Sequence, residues 1–62
     1  MTTLEELYPL GQRRAAILEA AVIDLDALRE LIADYLSVGA TANAAGLQAR
    51  LDAYERRVKV SA

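Results

Sequence analysis

Cysteine and histidine are both absent from this 62-residue sequence, and their absence excludes several kinds of functional site. Without cysteine the chain can form neither a disulfide nor a thiolate metal site. Without histidine it lacks the side chain that most often serves as a metal ligand or general base. The remaining candidates are carboxylates, which are scattered at spacings typical of helix surfaces. We therefore expect no metal, no cofactor and no catalytic residue, and we do not expect an enzyme.

Phenylalanine and tryptophan are also absent, so the three tyrosines are the only aromatic residues and the core must be mainly aliphatic. The net charge of −2 argues against nucleic acid as the main partner, since such partners usually require a clustered basic face. No uncharged run reaches the ~20 residues of a membrane-spanning helix, and the acidic first residues do not resemble a secretory signal. We expect a cytoplasmic protein that does not bind membranes.

The chain is long enough for one small domain, with 55% hydrophobic and 26% charged residues, as in a globular protein. A domain of this size buries only roughly 60% of the surface that its unfolded chain exposes. Small scaffolds usually gain further stability from disulfides, a metal or oligomerisation. The composition excludes disulfides and offers no clustered metal ligands, so it predicts self-association or a protein partner.

Apolar residues recur at helical spacing from Leu10 to Val38, over an arc wider than the seam of a simple dimeric coiled coil. We predict one long helix over about 10–38, which ends at Gly39 because glycine suits the left-handed position after a helix. A shorter helix is predicted at about 42–59, after a connection that favours antiparallel neighbours. The expected fold is an all-α antiparallel hairpin that assembles as a helical bundle of the four-helix type.

Two features lie before or at the start of the predicted long helix. Residues 2–6, with the sequence TTLEE, offer a capping box in two registers and predict a short N-terminal helix at about 3–8. Pro9 and Gly11 both disfavour an uninterrupted helix, so we predict a break or sharp kink between this segment and the long helix.

The two predicted arms differ in length, at about 40 Å and about 25 Å, so the shorter arm covers the longer one only as far as about Ala20. The apolar residues before that point lack a cover, and a contiguous apolar patch usually marks an interface. The alternative is that the segment before Pro9 folds back and covers the patch. The predicted interface comprises Leu4, Leu7, Tyr8, Leu10, Arg14, Ile17, Leu18 and Ala21.

A second row of small or apolar residues lies on the opposite face of the predicted long helix. Its spacing of four, three and four residues suits close approach of another helix. Alternatively, the alanines are ordinary exposed helix residues and the single isoleucine is an isolated surface residue. This second seam comprises Ala16, Ala20, Ile23 and Ala27.

Charged residues add two further hypotheses. Arg29 falls within the apolar arc, and we predict that its aliphatic stem lies along that surface so that the guanidinium reaches a carboxylate such as Glu55 on the other arm. Alternatively, Arg29 meets a carboxylate of a partner at an interface, where arginine is enriched. The doublets Arg13-Arg14 and Arg56-Arg57 could form a nucleic-acid-binding surface if a dimer brought them together.

These patterns predict a non-enzymatic protein–protein interaction module. We expect a small accessory protein that acts as an assembly adaptor, or as an inhibitor or regulator, by docking an apolar helix face. Its partner would be a second copy, in a homodimer, or another protein in a larger assembly. The alternative is a small dimeric nucleic-acid-binding regulator of transcription or of a later step.

Overall fold

A computed structural model describes residues 3–61 of the chain, with side-chain environments for residues 3–58. Three helices occupy most of this range: α1 (Leu4–Glu19), α2 (Leu25–Ser37) and α3 (Thr41–Ser61). The described residues contain no strand, so the predicted all-α class is confirmed. None of the helices, over the residues described, is long and apolar enough to cross a membrane.

The predicted single helix over 10–38 is wrong, because residues 20–24 separate α1 from α2. Asp24 begins α2 as its N-cap, and its Oδ1 accepts hydrogen bonds from the backbone N–H groups of Asp26 and Ala27 at 3.1 and 3.2 Å. Such caps typically contribute about 0.5–2 kcal/mol. The break also lets α1 fold back onto α2, which buries apolar residues that one straight helix would leave exposed.

The predicted break at Pro9 and the separate N-terminal helix at about 3–8 are also wrong, because α1 runs through both Pro9 and Gly11. Proline lacks the N–H that would bond to the carbonyl of Glu5. Glu5 and Pro9 are both exposed, so water can form a hydrogen bond with the carbonyl of Glu5. The helix begins as one of the two capping registers predicts: the Thr3 hydroxyl accepts from the Glu6 N–H at 3.3 Å.

The predicted end of the helix at Gly39 is confirmed. Gly39 has φ 80°, and its N–H donates to the Leu36 carbonyl at 3.1 Å, while the Ala40 N–H donates to the Tyr35 carbonyl at 2.9 Å. This pair of bonds is the Schellman motif, which requires a left-handed residue and therefore favours glycine. The chain turns within three residues, and α3 begins at Thr41.

Helix α2 is the central element, since both α1 and α3 pack against it. Leu28 and Leu31 are fully buried and Tyr35 is 2% exposed, and Leu10 of α1 and Leu47 of α3 complete the centre of the core. Arg29 near the start of α2 meets Glu55 near the end of α3, which shows that these two helices run antiparallel. Among residues 3–58, the buried side chains are Leu10, Leu28, Leu31, Ile32, Tyr35, Ala44, Leu47 and Leu51.

The two flanking helices stay apart. Within the described residues, no Cα atom of α1 lies within 8 Å of a Cα atom of α3. The radius of gyration is 12.2 Å, whereas a compact chain of this length would have about 10.5 Å. The accessible surface is 4460 Å², whereas a compact monomer of this size exposes roughly 3,900 Å². The arrangement is therefore open, and it leaves more surface available for contacts than a closed three-helix bundle would.

Candidate interaction surface

Helix α1 has apolar residues on two sides. The inner side packs against α2 through buried Leu10 and through the partly buried Leu7, Ile17 and Leu18. The inner side therefore belongs largely to the chain's own core.

The other apolar side of α1 faces solvent. We call it the outer stripe; its members are Leu4, Tyr8, Gly11 and Ala15, and all four are exposed. At 3.6 residues per turn the outer stripe lies roughly 130° around the helix from Leu10. Leu4 is 83% exposed and Tyr8 is 68% exposed, and the two lie one helical turn apart, so they form a contiguous apolar patch on the surface. The stripe contains no charged residue.

Gly11 lies in the middle of the outer stripe. A Cβ atom added there would meet nothing within 4 Å, so the chain's own packing does not require a glycine. A glycine inside a helix costs about 1 kcal/mol relative to alanine. The lack of a side chain makes the stripe flat at this point, where another backbone can approach closely.

The predicted interface residues fall into two groups. Leu10 is buried within the chain, and Leu7, Ile17 and Leu18 are partly covered, because α1 packs against α2. The fold-back alternative is wrong, since the segment before Pro9 is part of α1 and does not cover these residues. The exposed group comprises Leu4, Tyr8, Arg14 and Ala21. Sequence periodicity could not separate the groups, because it does not show which part of a wide apolar arc meets the rest of the chain.

The interruption between α1 and α2 at residues 20–24 divides the predicted second seam. Ala16 lies on α1, Ala20 and Ile23 lie at or after its end, and Ala27 lies on α2. These residues therefore do not form one continuous helix face. The face was expected only because the sequence predicted an uninterrupted helix.

Three ion pairs form among the described residues, two between helices and one within α2. The predicted Arg29–Glu55 pair is confirmed, with Nη2 and Oε2 3.2 Å apart, and Arg29 also binds Asp26 at 2.7 Å. Arg13 of α1 pairs with Asp34 of α2, a contact that the sequence did not indicate. Each side chain in these pairs is more than a third exposed, so each pair contributes little stability, about 0–1 kcal/mol. In the doublet Arg13-Arg14, Arg13 is therefore already paired within the chain.

Other charged side chains lack ion-pair partners among the described residues. On α1 these include Arg14 and Glu19, which are both exposed and flank the outer stripe on opposite sides. On α3 they include Arg50, Arg56 and Arg57. Such charges remain available to a partner.

A second apolar surface lies between α2 and α3 near the turn. Leu36 is 53% exposed and borders an open groove of about 230 Å³. The groove is lined by Ile32, Leu36, Thr41, Ala44, Ala45 and Gln48. Its lining is mostly small or aliphatic, and it contains no ionisable group.

Among the described residues, no three carboxylates are grouped so that they could hold a metal ion. The surface features are therefore an apolar stripe, an apolar groove and unpaired charges. Comparison of this chain with protein-family models, curated proteins and solved structures found no match. What can be said of its function rests on its own residues.

Proposed function

We propose that this chain is a non-enzymatic protein–protein interaction module, a small cytoplasmic accessory protein that acts as an assembly adaptor or as an inhibitor or regulator. The outer stripe of α1 is the proposed docking surface. The observation that carries the proposal is the exposure of Leu4 and Tyr8 on one uncharged face of an ordered helix.

The position of the outer stripe supports this role. Because α1 uses its inner side to pack on α2, the outer stripe can be covered by a partner without any rearrangement of the core. Leucine and tyrosine side chains contribute large apolar areas, and tyrosine is enriched at protein interfaces. The unpaired Arg14 beside the stripe can add a polar contact at its rim.

Substitution of both large residues of the stripe tests the proposal. The double variant Leu4→Glu/Tyr8→Glu should lose the proteins that the tagged wild-type chain retains from cells of its source, because each carboxylate would have to be desolvated in the interface. Circular dichroism should remain unchanged, since neither side chain belongs to the core. The measurement is quantitative mass spectrometry of the retained proteins.

A matched control carries the same added charge elsewhere. Ala33→Glu/Ala49→Glu changes two exposed helix positions, one on α2 and one on α3. This control should retain the same proteins as the wild type. Equal retention by both double variants would contradict docking through the outer stripe.

A second candidate function is nucleic-acid binding by a dimer, and one observation favours it. Arg50, Arg56 and Arg57 all lie on α3, are exposed and form no ion pair among the described residues. The outer stripe plays no direct part in this role. The excess of acidic residues over the whole chain argues against it.

Salt-dependent binding distinguishes the two functions. If the chain acts only on proteins, fluorescence anisotropy with a labelled DNA duplex and a labelled RNA should show no binding at about 150 mM salt. A nucleic-acid-binding role predicts an affinity that falls steeply between about 50 and 200 mM salt, because bound phosphates release counterions. It also predicts that Arg56→Glu/Arg57→Glu abolishes that binding.

A further inference from the structure

We propose that the partner of the outer stripe is a second copy of this chain, with the two α1 helices parallel and in register. This inference rests on the proposed function, because it requires the outer stripe to be a docking surface. It adds the identity of the occupant and the direction in which it lies.

The spacing within the stripe supports helix pairing. Leu4, Tyr8, Gly11 and Ala15 follow one another by four, three and four residues, which is the alternation of d and a positions in a heptad. Leu18 occupies the next d position three residues later; it packs on the core from the inner side, but part of its side chain remains exposed at the end of the stripe. In a coiled coil, the a and d residues of one helix pack against the a and d residues of its partner. The outer stripe is therefore suited to pack against the outer stripe of a second copy.

The charges beside the seam select the direction. In this register Arg14 takes position g and Glu19 takes position e, five residues later, which is the spacing of the salt bridges between parallel helices. Twofold symmetry would form the pair twice, and neither residue has an ion-pair partner within the described part of the chain. If the two helices were antiparallel and used the same four stripe residues, Arg14 would lie beside Leu7 of the second copy. Antiparallel helices would therefore not form the Arg14–Glu19 ion pair.

The flat centre of the stripe also fits this occupant. Gly11 would lie directly opposite Gly11 of the second copy, where the missing side chains let the two helices approach. The seam from residue 4 to residue 15 is only about 16 Å long. The surface area buried by the pair would therefore be well below that of a standard complex, which is about 1,600 Å². We therefore expect a reversible, concentration-dependent dimer.

Cysteine crosslinking tests the arrangement, because the native chain has no cysteine to complicate it. In the full-length variant Ala15→Cys the two thiols would face each other across the twofold axis. Oxidised glutathione should convert this variant to a covalent dimer. Ala16→Cys is the matched control: it is also exposed and lies one residue along, but it points away from the seam. We expect at least tenfold less dimer from the control.

A charge exchange supplies the second measurement. Sedimentation of Arg14→Glu should show a dimer at least fivefold weaker than wild type, because it places like charges together twice. The exchange variant Arg14→Glu/Glu19→Arg should restore the wild-type affinity.

The outcomes separate the alternatives. Equal crosslinking of Ala15→Cys and Ala16→Cys, or a wild-type monomer at millimolar concentration, would overturn the pairing. Crosslinking only in a mixture of Leu4→Cys and Ala15→Cys would show antiparallel helices and would overturn the direction. If the chain is monomeric but Leu4→Glu/Tyr8→Glu still loses other retained proteins, the proposed function stands while the second copy is rejected.

Discussion

Replacement of Leu28 by alanine should lower the free energy of unfolding by about 2–5 kcal/mol, which is the usual cost of removing a fully buried leucine side chain. Leu28 is 0% exposed and lies on the central helix, within the cluster to which α1 and α3 both contribute. A domain of this length is expected to have a total stability of roughly 3–9 kcal/mol. The variant should therefore lose a large fraction of the stability of the wild type, and it should be largely unfolded at room temperature if the wild type lies at the low end of this range.

Urea titration followed by circular dichroism measures this effect. The matched control is Leu36→Ala on the same helix, where the side chain is 53% exposed. Its cost should be below about 1 kcal/mol, because less apolar area leaves contact with protein. Similar costs for the two variants would contradict the central position of Leu28.

The second large effect concerns the contact between α1 and α2. Ile17→Asp should lower the free energy of unfolding by about 2–4 kcal/mol, because it removes a partly buried aliphatic side chain and brings a carboxylate to the edge of the core. Ala16→Asp adds the same charge at the next residue, which is exposed. That control should cost at most about 1 kcal/mol, mainly through the lower helix propensity of aspartate.

The sequence pattern alone predicts a different result for Ile17→Asp, namely loss of assembly while the helix near Gly39 persists. Sedimentation and circular dichroism on the same samples distinguish the two. If Ile17→Asp remains as stable as the wild type and loses only association, then the inner side of α1 is an interface with a partner. Loss of stability, with Ala16→Asp unaffected, would show that Ile17 belongs to the chain's own core.

Local signals in the sequence were sufficient where one residue type has a specific conformational role. Gly39 was correctly predicted to end the helix before it, since a positive φ favours glycine, and Thr3 was one of the two predicted caps. The contact of Arg29 with Glu55 matches the first of the two alternatives that the sequence offered, because a long side chain in an apolar arc can carry its charge to an edge.

The interruption at residues 20–24 was not predicted, although Asp24 is a residue type that favours the start of a helix. Ala20, Ala21, Val22 and Ile23 include neither proline nor glycine, and nothing in their propensities ends a helix there. Breaking the helix lets Leu10 and Ile17 reach the core around Leu28, which is a gain between residues far apart in the sequence. Conversely, Pro9 and Gly11 suggested a break that did not form. An interior proline costs a helix about 3 kcal/mol, and the packing of Leu7 and Leu10 on either side of Pro9 against the core offsets this cost.

The sequence by itself determined that the protein is helical, that its core is aliphatic, and where α2 ends and α3 begins. These properties depend on composition, periodicity and single-residue conformational preferences, all of which are local. The tertiary structure decided which of the apolar residues on α1 are buried and which, including Leu4 and Tyr8, remain exposed. That division depends on the direction in which α1 folds back. The burial of apolar residues from distant segments sets this direction, and no local sequence pattern reports on such burial.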